Sequence, residues 1–146
     1  MMLHLEHKAY DFKIKTTSGK RYILDVVRRK YVVLTPEEWV RQHIVHYMVE
    51  IMGYPATLIS VEKTVVINKL SRRYDIVVYD RNTRPWMLVE CKAPHIAVNE
   101  QTFRQLLMYQ KAIQCPYGLI TNGAASYCCQ MQPVDFKWLE TLPAFN

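Results

Sequence analysis

Three side chains of this sequence, Asp75, Glu90 and Lys92, are spaced so that a β-hairpin would gather them. The segment W-M-L-V-E-C, residues 86–91, is apolar up to Glu90; Lys92 follows and Pro94 closes the stretch. Strand alternation puts Leu88, Glu90 and Lys92 on one face and Met87, Val89 and Cys91 on the other. The preceding segment Y-D-I-V-V-Y, residues 74–79, is joined to it by the polar loop D-R-N-T-R-P. If Tyr79 pairs with Trp86, Asp75 falls directly opposite Glu90, with Cβ atoms about 4.5–5.5 Å apart. Like charges in that position destabilise a ladder, so something must compensate them. Lys92 can do so. A divalent cation does it better, because paired carboxylates are hard oxygen ligands suited to Mg²⁺, with Mn²⁺ as a substitute. Two acids and a lysine around one ion can hydrolyse a phosphodiester. The ion activates water and stabilises the charge that develops, and the lysine orients or deprotonates the water or neutralises the phosphate. The competing reading of Glu90 and Lys92 alone is a surface ion pair.

The stretches L-T-P-E-E-W-V-R-Q, R-R-Y-D-I-V-V-Y-D-R-N-T-R-P-W-M-L-V-E-C-K-A-P, F-R-Q-L-L-M-Y-Q and L-I-T-N-G-A-A-S-Y together span about residues 30–130. In combination they resemble the PD-(D/E)xK nuclease superfamily, and most closely the N-terminal nuclease domain of type I restriction enzyme R subunits. The resemblance implies a restriction-endonuclease-like core of helix, three strands, helix and strand. It implies Asp75 and Glu90 as metal ligands, the Cys91 carbonyl as a further ligand, and Lys92 as the catalytic lysine. Glu38 matches the acidic residue on the family's first core helix; its position also suits the third residue of a capping box, and both readings stand. Gln105 and Tyr109 match a Q-x-x-x-Y pattern that supports the site in such nucleases, and four residues apart on a helix they share a face. Tyr74 stands where the motif has proline.

The elements that must position these residues can be read locally. Thr35 suits an N-cap and Pro36 the first helical position, and Val40, Ile44, Tyr47, Met48 and Ile51 then follow helical spacing up to Gly53. Residues 58–67, 74–79 and 86–91 read as three strands. Asn99 caps a second helix whose apolar stripe is Phe103, Leu106, Leu107 and Ile113. Residues 117–121 and 126–131 read as strands around the turn T-N-G-A. Upstream, residues 10–34 read as an N-terminal β-hairpin around T-S-G-K with a strand-like tail. The fold class is therefore α/β, a mixed central sheet flanked by helices. The 146 residues suit one domain, with a hairpin extension at 1–34, a core at 35–132 and a tail at 133–146 that packs Phe136 and Trp138 outside the core.

Lysine and arginine outnumber aspartate and glutamate 19 to 13, a formal charge of +6 that suits a polyanionic partner such as DNA. The basic groups Arg28-Arg29-Lys30, Arg72-Arg73, Arg81 and Arg84 can contact phosphate or simply be solvated. The four cysteines form no C-x-x-C pair and no zinc pattern, and no apolar run is long enough to span a bilayer, so a cytoplasmic protein with reduced thiols is expected. His43 and His46 read as solvent-facing. No phosphate-binding G-x-x-x-x-G-K loop exists, so this chain binds no ATP, and any motor or specificity subunit is a separate polypeptide. The reading is a Mg²⁺-dependent DNA endonuclease, possible as a homodimer because cutting two strands needs two sites. The alternative is a catalytically silent DNA- or partner-binding module of the same fold.

Overall fold

The computed structural model describes Leu3, Leu5 and residues 10–146, apart from the side chains of Ile67 and Tyr109. The first helix, α1 (Pro36–His46), starts where the sequence provides a cap: Thr35 Oγ1 accepts the Glu38 N–H at 3.0 Å, and Pro36 needs no partner. Glu37 and Glu38 lie in the first turn, favourably placed for the helix dipole. A wider π turn (Tyr47–Ile51) extends the helix, and Gly53, at φ +70°, ends it in a conformation that favours glycine.

Six strands then build the central sheet: β4 (Ile59–Ile67), β5 (Leu70–Tyr79), β6 (Pro85–Cys91), β7 (Tyr117–Thr121), β8 (Ser126–Met131) and β9 (Phe136–Leu139), in that spatial order. Strands β6 and β7 are parallel and the other pairs antiparallel. A parallel neighbour demands a crossover, and α2 (Glu100–Ile113) provides it. Asn99 opens α2 with a full capping box: its side chain accepts the Thr102 N–H and the Thr102 hydroxyl accepts the Asn99 N–H, both at 3.1 Å.

The two helices cover opposite faces of the sheet. Val40 and Ile44 of α1 and Met48 of the π turn pack with Ile76, Val78, Met87, Val89 and Cys91; Phe103, Leu106 and Ile113 of α2 pack with Val77, Leu88 and Ile120. Consecutive residues of β6 thus serve different cores, which is why its sequence is apolar on both faces until Glu90. On the α2 side, Gly118 lets the fully buried Gln110 lie against β7: a Cβ at Gly118 would stand 2.3 Å from Gln110 Oε1.

Upstream, the hairpin is present as β1 (Ile14–Thr17) and β2 (Lys20–Asp25), and its strand-like tail pairs as β3 (Lys30–Val33), which makes a separate three-stranded antiparallel sheet. Phe136 and Trp138 pack against the outside of the α2-side core, and they do so from β9, the sheet's edge strand, with the Trp138 ring centroid 4.7 Å from that of Phe103. Two local expectations are corrected, the partner of Tyr79 and the exposure of His43 and His46. At the closed end of the β5–β6 hairpin a bulge places Tyr79 opposite Pro85 rather than Trp86. His43 and His46 are half-buried beside Phe12, with ring centroids 4.7 Å away in each case. Among the described residues no helix is long and apolar enough to cross a membrane.

Candidate active site

The site forms where two strands part. Ile76↔Val89, Val77↔Leu88 and Val78↔Met87 keep the register in which Asp75 would next meet Glu90. The ladder stops one step short. Strand β6 continues against β7 (Glu90↔Ile120, Cys91↔Thr121), while β5 continues against β4 (Lys63↔Tyr74). In the fork, Asp75 Oδ2 accepts the Cys91 N–H at 2.8 Å, satisfying a donor that has lost its strand partner. Asp75 is therefore not a ladder partner of Glu90, but both reach one pocket. The pocket, about 200 Å³, is lined by Asp75, Glu90, Cys91 and Lys92 together with Glu37, Glu62, Arg73 and Tyr74. Lys92 is held just past the end of β6 by its N–H, which donates to the Thr121 carbonyl at 2.8 Å.

The neighbouring strand is reshaped at the same level. Glu62 lies between the pairs Val61↔Ile76 and Lys63↔Tyr74 and has φ +54°, in the left-handed region. Val61 packs on the α1 side and Val65 on the α2 side, although simple alternation would keep them together. That inversion turns Glu62 into the fork.

Charge in the pocket is poorly screened. The Glu90 side chain is only 12% exposed, and burial, with the nearby charge of Asp75, pushes its carboxyl up to about 7; Arg72 and Lys92 pull the other way without prevailing. Arg72 Nη2 is 3.5 Å from Glu90 Oε1. Glu37 is also raised, by burial and then by Asp75, with which it shares a hydrogen bond.

Behind the pocket, a line of buried charges holds Asp75. Arg41 grips Glu38 with two bonds, Nη2 to Oε1 at 2.7 Å and Nε to Oε2 at 2.9 Å, and reaches Asp75 Oδ1 with Nη1 at 3.2 Å. Arg28 donates to Glu38 at 2.8 Å and to the fully buried Asp25 at 2.6 Å. Burial alone would raise the Glu38 carboxyl, but the bonds from Arg41, Gln42 and Arg28 and the charge of Arg41 hold it at about 2.

This settles the local setting of Glu38. Its N–H is capped by Thr35, and its carboxylate is turned away from the pocket onto Arg28 and Arg41. The neighbouring Glu37 is the acid on α1 that lines the pocket. Gln105 is exposed on α2 and does not line the pocket. Tyr109 lies in α2, and its side chain is outside the described residues. Arg28, of a basic group read as either contacting phosphate or simply solvated, is engaged in ion pairs. Sequence reasoning missed Glu37, Arg41 and Glu62. The pairs Glu37–Arg41 and Glu38–Arg41, at helical spacings of four and three, were the available signal for the first two; for Glu62, a strand residue at positive φ, there was none.

The donor set suits a hard cation. Among the described residues no three His, Cys, Asp or Glu side chains form a ready metal cage. Mg²⁺ does not require one: it is held by one or two carboxylates and keeps several waters. Asp75, Glu90 and the Cys91 carbonyl could hold it, and a cation there would offset the burial and the Asp75 charge that raise Glu90.

Comparison with known proteins bears on the family and the fold. The sequence model of one family, the type I restriction enzyme R protein N terminus, matches residues 36–143. Among solved structures, a protein of DUF820 from Anabaena variabilis, described as a candidate nuclease, superposes with a TM-score of 0.51 at 12% identity, over 85% of this chain and 74% of that one. At that identity the likeness concerns the fold. None of the curated proteins compared with this chain matches it.

Proposed function

Because this chain belongs to the family of type I restriction enzyme R protein N termini, we propose that its nuclease-like fold is a Mg²⁺-dependent DNA endonuclease of the PD-(D/E)xK type. The observation that carries the reading is the fork between β5 and β6, where Asp75, Glu90 and Lys92 line one pocket. Asp75, Glu90 and the Cys91 carbonyl would hold the ion, which would supply Lewis-acid polarisation of a phosphate and a more nucleophilic water. The chain's own residues do the rest. Arg41 and the Cys91 N–H fix the Asp75 carboxylate from two sides, so its orientation needs no adjustment on binding. Lys92, anchored by its backbone to β7, presents an ammonium that orients the attacking water or neutralises the phosphate. DNA is the substrate, in the cytoplasm. Translocation and sequence recognition fall to separate subunits, and a homodimer supplies two pockets for two strands.

Nicking of supercoiled plasmid in Mg²⁺ or Mn²⁺ tests this. Wild type should nick, Lys92→Ala should lose nicking while keeping its thermal midpoint, and Asp75→Ala should lose the Mn²⁺ heat seen by calorimetry. Nicking by Lys92→Ala at the wild-type rate, or equal heats with and without Asp75, would remove the assignment.

A further inference from the structure

The charge surplus of this protein is concentrated. Residues 13–30 contain seven lysines and arginines against one acid, Asp25, so this segment alone carries the formal +6 of the whole chain. Asp25 is fully buried and paired with Arg28, which leaves Lys13, Lys15, Lys20, Arg21, Arg29 and Lys30, all exposed. These residues lie on or beside the β1–β2–β3 sheet, which precedes the residues that match the family.

The sheet has two different faces. Strand pairing and alternation put Ile23 and Asp25, both fully buried, on the inner face. The other face carries Lys15, Lys20, Tyr22, Leu24, Tyr31 and Val33, every one of them exposed or half-buried. Tyr31 is 38% exposed and Val33 46%. The Lys15 ammonium rests 4.1 Å from the centre of the Tyr31 ring, so that ring already offers its electron-rich face to a cation. Lysines beside open aromatic rings on a short sheet are what a single-stranded nucleic acid needs. The cations follow the phosphates, and unpaired bases stack on the rings, which a duplex cannot offer them.

We propose that the outer face of this sheet binds single-stranded DNA and delivers the substrate strand to the fork. The inference rests on the nuclease reading for what the strand is delivered to, but the binding itself does not need cleavage. The connection to the site is physical: Arg28, in the β2–β3 turn, bonds Glu38, whose partner Arg41 holds Asp75.

Fluorescence anisotropy of the full chain, in EDTA, with labelled oligo-dT and with a duplex of equal length tests the proposal. Lys15→Glu with Lys20→Glu should weaken oligo-dT binding at least about tenfold and flatten its salt dependence. Tyr22→Ala with Tyr31→Ala should weaken oligo-dT about tenfold and leave duplex affinity unchanged. Lys111→Glu with Lys137→Glu, an equal charge change on α2 and β9, should bind as wild type, and unchanged thermal midpoints show that the variants fold. Wild-type binding by the sheet variants overturns the proposal; so does equal loss for duplex and single strand in the tyrosine pair. A wild type that never nicks but binds oligo-dT through the sheet sinks the nuclease reading and leaves this one standing.

Discussion

Asp75 Oδ2 accepts the backbone N–H of Cys91 at 2.8 Å across the gap that opens between β5 and β6. A side chain here replaces a ladder bond, and that replacement lets the two strands separate without leaving a buried donor unpaired. The pocket exists because of it: its acids come from α1, β4, β5 and β6, and only a fork lets four elements approach one point.

Arg41 should be the residue on which the site most depends for stability. It is 6% exposed and touches Glu38, Glu62 and Asp75. Arg41→Met leaves those carboxylates without their shared cation, and removing one partner of a buried ion pair costs about 3–5 kcal/mol. Urea unfolding should show that loss. Arg28→Met, at a 16% exposed side chain, should cost less. A smaller effect at Arg41 than at Arg28 would contradict the geometry.

Glu37 and Glu38 should separate cleanly despite being adjacent. Glu37→Gln removes an acid from the pocket and should weaken Mn²⁺ binding in calorimetry, with little change in thermal midpoint. Glu38→Gln should lower the midpoint and change the metal affinity less, because its carboxylate serves Arg28 and Arg41. The opposite pattern would mean that α1 is rotated from the arrangement described.

Glu90 gives a pH signature in the metal-free protein. Its folded value, about 7, lies above the ordinary 4.5, so the folded state binds the proton more tightly than the unfolded chain. Stability is therefore lost as pH rises from about 4.5 to about 7. A difference of that size corresponds to roughly 3 kcal/mol. Glu90→Gln should remove this slope, being more stable than wild type at pH 8 and close to it below pH 5. Saturating Mn²⁺ should also flatten the wild-type profile. Parallel profiles for the two proteins in EDTA would show that Glu90 is ordinary.

Gly118→Ala should destabilise the α2 side of the sheet. The new methyl would stand 2.3 Å from Gln110 Oε1 and 2.9 Å from its Cδ, and Gln110 is fully buried. Overpacking of this kind costs about 1–3 kcal/mol. Gln110→Ala should relieve it, so the double variant should be more stable than the sum of the two single losses.

Much of the positioning was legible locally. Thr35 and Asn99 announce their helices because a side-chain oxygen must satisfy orphan N–H groups at a helix start. The apolar run ending in Glu90 announces a strand buried on both faces, and the hairpin register followed from it for three pairs. Alternation also placed Glu90 with Leu88, away from Met87, Val89 and Cys91. These are nearest-neighbour properties of the chain, set by backbone geometry and by the side chains within one turn or one ladder step.

What the tertiary structure decided is where those regular patterns break. The fork between Val89 and Glu90, the left-handed Glu62 and the choice of Glu37 over Glu38 depend on how β7 and β4 compete for the two hairpin strands and on how α1 is rotated over them. The partners of Arg41 come from residues 38, 62 and 75, and no local rule links those positions. The sequence alone named Asp75, Glu90 and Lys92, because charge within an apolar strand is costly and must have a reason, and it did not name Glu37 or Glu62. Which of them share a pocket was fixed by long-range pairing, because only the packed sheet and helix bring distant carboxylates to one pocket.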